Sequence, residues 1–203
     1  MKRLIPLMSL FSLTLAFAAI AQAAERPEDP MQMLQRGVDE VMAIAYDGAG
    51  DQGQPLSERV RHVLRKYFDF DAVTRRAVGP GWRKLSEEER SRVTELFSTL
   101  VLRTYADSFE PGERPEVKYG SAIELSSTRR ELPTTVVYAG KNYAVSYRVE
   151  LNDSRWQVYD VIIEGVSMIA NYRAQFESIL RNGGGGALID SLENNLKNVT
   201  KPT

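Results

Sequence analysis

Hydrophobic positions recur along this chain with two different periods. Met31, Leu34, Val38, Val41, Met42 and Ala45 fall at helical spacing. Val60, Val63, Leu64 and Tyr67 do so again in a second segment, from about Ser57 to Tyr67. The turn-rich "DGAGDQGQP", Asp47 to Pro55, separates the two. Asp69 is placed to cap a short third helix that Gly79-Pro80-Gly81 ends. The clearest helix start is "SEEE": Ser86 as N-cap and Glu89 three residues on form a capping box. The stripe that follows is Val93, Leu96, Phe97, Leu100, Val101 and Tyr105.

After "EPGERP", Glu110 to Pro115, the period changes to two. "YAVSYRVEL" puts Tyr143, Val145, Tyr147, Val149 and Leu151 on one face of a strand. Ala139-Gly140-Lys141 and Asn152-Asp153 read as hairpin connections on either side. "TTVVYA" and "WQVYDVII" read as the neighbouring strands, and Val117 to Leu125 as a weaker one. In "WQVYDVII" the alternation slips: Trp156 and Val158 fall on one face, Val161 and Ile163 on the other. A twist, a bulge or burial on both faces can do this. From Val166 the spacing is helical again, through Ile169, Phe176 and Leu180, with Tyr172 and Ile179 beside them. Gly183 to Gly186 form a flexible joint before a last helix carrying Leu188, Leu192 and Leu196. Helices, an antiparallel meander, then helices predict an α+β fold, with helices packed on one face of a curved sheet.

The N-terminal residues stand apart from that core. "MKRLIPLMSLFSLTLAFAAIAQAA" has a basic start, an apolar stretch and Ala21-Gln22-Ala23 before the polar "ERPEDP". This predicts a secretory signal peptide over residues 1–23, cleaved near Ala23, and a single domain over 24–203. The alternative is an uncleaved membrane anchor; the small residues at the cleavage positions argue against it. No cysteine is present, so an exported chain relies on its core rather than on disulfides, and thiol nucleophiles and thiolate metal ligands are excluded. Losing Lys2 and Arg3 leaves 24 basic and 27 acidic residues, a net −3, unlike a nucleic-acid binder.

Catalytic patterns are thin. Gly165-Val166-Ser167 begins like a nucleophile elbow, but Ile169 stands where that pattern needs glycine. The one histidine, His62, sits among Arg61 and Arg65 as on a helix surface, and one histidine without cysteine makes a zinc site improbable. Asp69, Asp71, Asp160 and Glu164 are the carboxylates available for acid/base work, with nothing in the sequence to separate their pKa values. Between Glu58 and Arg92, ten Lys/Arg face six acids, a local +4. Two readings stand for it: docking of an anionic partner, or solvated helix faces. The apolar surplus is likewise open between a filled core and a cavity.

The segment "YDVIIEGVSMIANYRAQFESIL" resembles the signature of the MlaC-like periplasmic phospholipid carriers, also called the toluene-tolerance auxiliary family: a strand, then (I/V)-E-G-(V/I)-S, then N-Y-R-x-(Q/E)-F. "YFDFDAVTRRAVGPGWRKLSEEER" and "LRTYADSF" resemble that family's upstream motifs in the same order. The tetraglycine and the stretch Glu116 to Leu132 depart from it.

The resemblance implies an NTF2-like α+β fold with an apolar cavity between helical layer and sheet. It implies phospholipid as cargo, with no cofactor, no metal and no enzymatic activity. The implied partners are an inner-membrane ABC transporter with its MCE-domain ring and an outer-membrane lipoprotein–porin complex. Together they keep the outer membrane asymmetric. Cavity residues expected from the apolar faces are Trp82, Phe97, Val101, Tyr105, Val145, Tyr147, Val149, Val161, Ile163, Val166, Ile169 and Tyr172. The other readings are an interaction or assembly factor with a filled core, and a lipid or ester hydrolase using Ser167 with Asp160 or Glu164.

Overall fold

The computed structural model of the protein describes residues 27–50, 53–106 and 113–199. The expected signal peptide and the side chain of Tyr105 lie outside the described residues. Four helices come first: α1 (Pro30–Tyr46), α2 (Leu56–Tyr67), α3 (Phe70–Val78) and, after a 3-10 turn (Gly79–Lys84), α4 (Glu87–Ala106). The strands follow: β1 (Glu116–Tyr119), β2 (Ile123–Ser126), β3 (Arg129–Tyr138), β4 (Lys141–Asn152), β5 (Arg155–Ile163) and β6 (Val166–Ser167). The helix α5 (Met168–Val199) closes the chain.

Local signals in the sequence set most of these boundaries. Asp29 caps α1 by accepting from the backbone N–H groups of Met31 and Gln32, with Pro30 in the first turn. Asp69 accepts from the Ala72 N–H, and its second oxygen from the Asn152 amide at 3.2 Å. The Ser86–Glu89 capping box is reciprocal: the Ser86 N–H donates to Glu89 and the Glu89 N–H to Ser86 Oγ.

The sheet is antiparallel with order β1-β3-β4-β5-β6, and β2 pairs with β3 beyond the end of β1. The expected single strand over Val117 to Leu125 is therefore two short strands. Gly120 donates to the Pro133 carbonyl where they part. A strand residue points its N–H and C=O to the same side, so the missing Pro133 N–H also faces this break and not β4. Ala139-Gly140, Asp153-Ser154 and Glu164-Gly165 are two-residue hairpin loops, each with both residues at positive φ. That is the turn geometry that matches strand twist.

The slip in "WQVYDVII" is a β-bulge. Arg148 pairs with Asp160 but Val149 with Val158, which leaves Tyr159 as the extra residue. The bulge returns Val161 and Ile163 to the same face as Trp156 and Val158. Beside it, Phe68 bridges Val158 and the Asp69 N–H donates to the Val158 carbonyl, tying the α2–α3 junction to β5.

Three apolar clusters result. α3, α4 and α5 share the largest, around Phe97, whose ring meets Tyr172 and Phe176 edge-on at 4.7 and 5.0 Å. α1 packs on the sheet through Met33, Leu34, Leu132, Val149 and Trp156. α1 and α2 meet through Val41, Val60 and Val63. The tetraglycine is not a loop but a kink inside α5, at Gly184 (φ 69°, ψ −160°). Beyond it Leu188 and Leu192 are fully buried in the α3–α4–α5 core.

Candidate functional site

A cavity of about 600 Å³ lies between the helices and the sheet. α1 and α2 contribute Met33, Leu34, Gly37, Val38, Val41, Met42, Tyr46, Leu64 and Tyr67. Phe68, Phe70, Val101, Leu102 and Met168 come from the α2–α3 junction, α3, the end of α4 and the start of α5. Pro115, Val117, Val136, Tyr138, Tyr143, Val145, Tyr147, Val158, Val161 and Ile163 form the sheet side. No charged residue is among these lining residues. One end is shut by Met33, Leu34 and Val158, which pack on Leu132, Val149 and Trp156. The other end is open: Tyr138, Tyr143 and Ile163 line the cavity yet remain 42%, 37% and 38% exposed.

Polar atoms are few and neutral. Tyr147 is half-buried by surface area, its uncovered part facing the void, and burial pushes its phenol up to about 12. Tyr46 is raised by burial and by nearby Tyr138. Both stay protonated at physiological pH. The space therefore favours apolar matter and offers its entrance a rim of phenols.

Of the residues expected from the sequence, Val101, Val145, Tyr147, Val161 and Ile163 line this cavity. Phe97, Trp82, Ile169 and Tyr172 belong instead to the helical core; Arg90 stacks over Trp82 at 5.7 Å and donates to its carbonyl. Val149 is packed solid at the shut end. Val166, beside the β5–β6 turn, is 64% exposed. Missed were the α1 residues from Met33 to Tyr46 and the rim tyrosines Tyr138 and Tyr143. The α1 stripe was visible as a pattern, but nothing in its period says that it faces empty space.

The polar residues around Glu164-Gly165 form a joint. Ser167 Oγ donates to Asp160 Oδ2 at 2.7 Å and accepts from the Ala170 N–H at 3.0 Å, as the N-cap of α5. Asp160 Oδ1 accepts from the Ile169 N–H, and Arg148 lies 3.7 Å from Oδ2. Glu164 accepts from the Ala144 N–H. Arg173 clamps the end of α3 by donating Nε and Nη2 to the Arg76 carbonyl at 2.9 and 2.5 Å. The Ser167 hydroxyl is thus engaged in a helix cap, with no histidine beside it: His62 is on the exposed side of α2. Among the described residues no cluster of His, Asp and Glu suits a metal ion.

The basic stretch is largely spent inside the molecule. Arg61 pairs with Glu58, Lys66 with Glu40, Arg76 with Glu150 and Arg92 with Glu95 and Glu193. Arg59 donates to the Ala49 carbonyl. Arg65, Arg75, Arg83 and Lys84 are exposed.

A helical layer and an antiparallel sheet enclosing a one-ended apolar cavity place the protein among α+β binding folds built around an internal void. The sequence match is more particular. The family model of the MlaC protein matches residues 35–194, and the chain belongs to this family. A curated relative is the intermembrane phospholipid transport system binding protein MlaC of Haemophilus influenzae, 22% identical over 193 residues, spanning 91% of this chain and 90% of the relative. A similar solved structure is the phospholipid-binding protein from Ralstonia solanacearum in complex with a phospholipid. It superposes with a TM-score of 0.75 at 25% identity, covering 86% of this chain and 100% of that one.

Proposed function

We propose that this chain is a periplasmic phospholipid carrier that moves lipid between the inner and outer membranes. The observation that carries the reading is the uncharged, one-ended cavity with a wet rim. Each methylene taken from water is worth about 0.8 kcal/mol. Two acyl tails of roughly sixteen carbons therefore cost on the order of 25 kcal/mol to expose, and an apolar interior removes that cost. The void also weighs against a filled-core assembly factor.

The N-terminal pattern supports export with cleavage near Ala23, leaving residues 24–203 as one carrier domain. The family supports docking to an inner-membrane ABC transporter with an MCE-domain ring and to an outer-membrane lipoprotein–porin complex. No catalytic role is assigned; lipid is cargo.

The test is lipid identification. Protein produced with its N-terminal signal, purified and extracted with organic solvent, yields near-stoichiometric phospholipid; its absence rejects the carrier reading.

A further inference from the structure

The cavity wall holds hydrocarbon and says nothing to a phosphate, since none of the lining residues is charged. Any selection for a phosphate-bearing lipid must act at the mouth. Arg114 and Lys141 stand there. Arg114 immediately precedes Pro115, a wall residue, where the chain enters the edge strand β1. Lys141 pairs with Tyr138 at the tip of the β3–β4 hairpin, on the cavity-facing register.

Only Arg114 of these two spans the opening. Its Nη1 lies 2.8 and 2.7 Å from the two Asp47 oxygens. Asp47 follows Tyr46, another wall residue, at the end of α1. The ion pair therefore fastens the helical side of the mouth to the β1 edge of the sheet. Its side chains are 50% and 49% exposed, so it opens cheaply. A guanidinium that binds a carboxylate through such a contact can bind a phosphodiester in the same way.

We propose that Arg114 recognises the phosphate of the lipid cargo, with Asp47 holding that position until a headgroup displaces it. The exchange keeps the guanidinium paired in both states and releases the strap as cargo enters. This rests on the carrier reading and names the group that reads the headgroup.

The test is uptake from phosphatidylcholine vesicles carrying a trace of one pyrene-labelled lipid. The labelled lipid is either phosphatidylglycerol or diacylglycerol with the same tails. The parent prefers phosphatidylglycerol by about tenfold, the worth of one charge-assisted contact. Arg114→Ala brings that ratio close to one, Lys141→Ala leaves it standing, and Asp47→Asn raises it. Excess inorganic phosphate does not abolish it, since the apolar wall holds only the lipid.

A ratio unchanged in Arg114→Ala overturns the assignment, as does loss of preference in Lys141→Ala alone. Asp47→Asn behaving like Arg114→Ala marks the pair as merely structural. Loss of preference in excess phosphate makes free phosphate the ligand. Uptake of neither lipid by the parent overturns the carrier reading and this assignment with it. The sites are exposed, so folding is unaffected, and a thermal melt of each variant checks it.

Discussion

Asp160, only 3% exposed, accepts hydrogen bonds from both the Ser167 hydroxyl and the Ile169 N–H. One carboxylate thereby fixes the end of the sheet to the start of α5. Asp160→Ala leaves two donors unsatisfied in a covered site and lowers stability by about 2–3 kcal/mol. Ser167→Ala removes only the cap and costs about 1 kcal/mol. Urea titration of the two variants gives this order, and neither change creates or removes ester hydrolysis.

Phe97 and Val145 separate packing from cargo space. Phe97 is fully buried among Tyr172 and Phe176, so Phe97→Ala costs about 3–5 kcal/mol. The same change spares lipid content per folded molecule. Val145→Trp fills part of the cavity and lowers lipid per molecule, with little loss of stability. Phosphorus assay of purified protein beside thermal melts distinguishes the two effects.

Gly184 holds φ 69° and ψ −160°, a region that residues with a Cβ avoid. Gly184→Ala therefore destabilises by about 1–3 kcal/mol and loosens the packing of Leu188 and Leu192. Hydrogen exchange in residues 187–196 rises while that of the sheet stays constant. At Gly185 the reason is contact: a Cβ there would meet the Glu89 carboxylate oxygen at 2.2 Å.

Glu40 links α1 to α2. The Tyr67 hydroxyl donates to it at 2.6 Å and Lys66 at 3.0 Å, and together they hold its carboxyl below the ordinary value, the phenol contributing most. A folded-state pKa below the unfolded one stabilises at and above neutrality. That contribution drains away as the pH falls through the ordinary carboxylate range to the lowered value. Glu40→Gln is thus less stable than the parent at neutral pH, and the gap closes in acid. Urea midpoints at neutral pH and at about pH 3 measure it.

Much of the fold was legible because its signals are local. The Ser86 capping box and the alternation from Tyr143 to Leu151 need only neighbouring residues, and the hairpin turns emerged within one position. The cavity was not legible in this way. Phe97 and Val101 lie one turn apart on the same stripe and are both buried in the helical core, yet only Val101 also lines the void. Period tells which face is apolar, not whether an atom stands opposite. Gly183 to Gly186 read as a joint because glycine is weak in helices. Only Gly184 leaves the helix; packing by Leu188 and Leu192 carries the chain through the rest.

Tyr159 makes β5 one residue longer than its partner requires. Losing that residue would leave Asp160 opposite Arg148 and Val161 opposite Tyr147, so the ladder would close into regular alternation with its cavity face unchanged. What would go is the Tyr159 ring, which lies 4.1 Å from the Arg76 guanidinium, and the added twist of the bulge. Losing Val161 instead would put Ile162 in its place and turn Ile163 away from the cavity, because strand side chains alternate. The container thus tolerates a change of length at one position of β5 and not two positions further on.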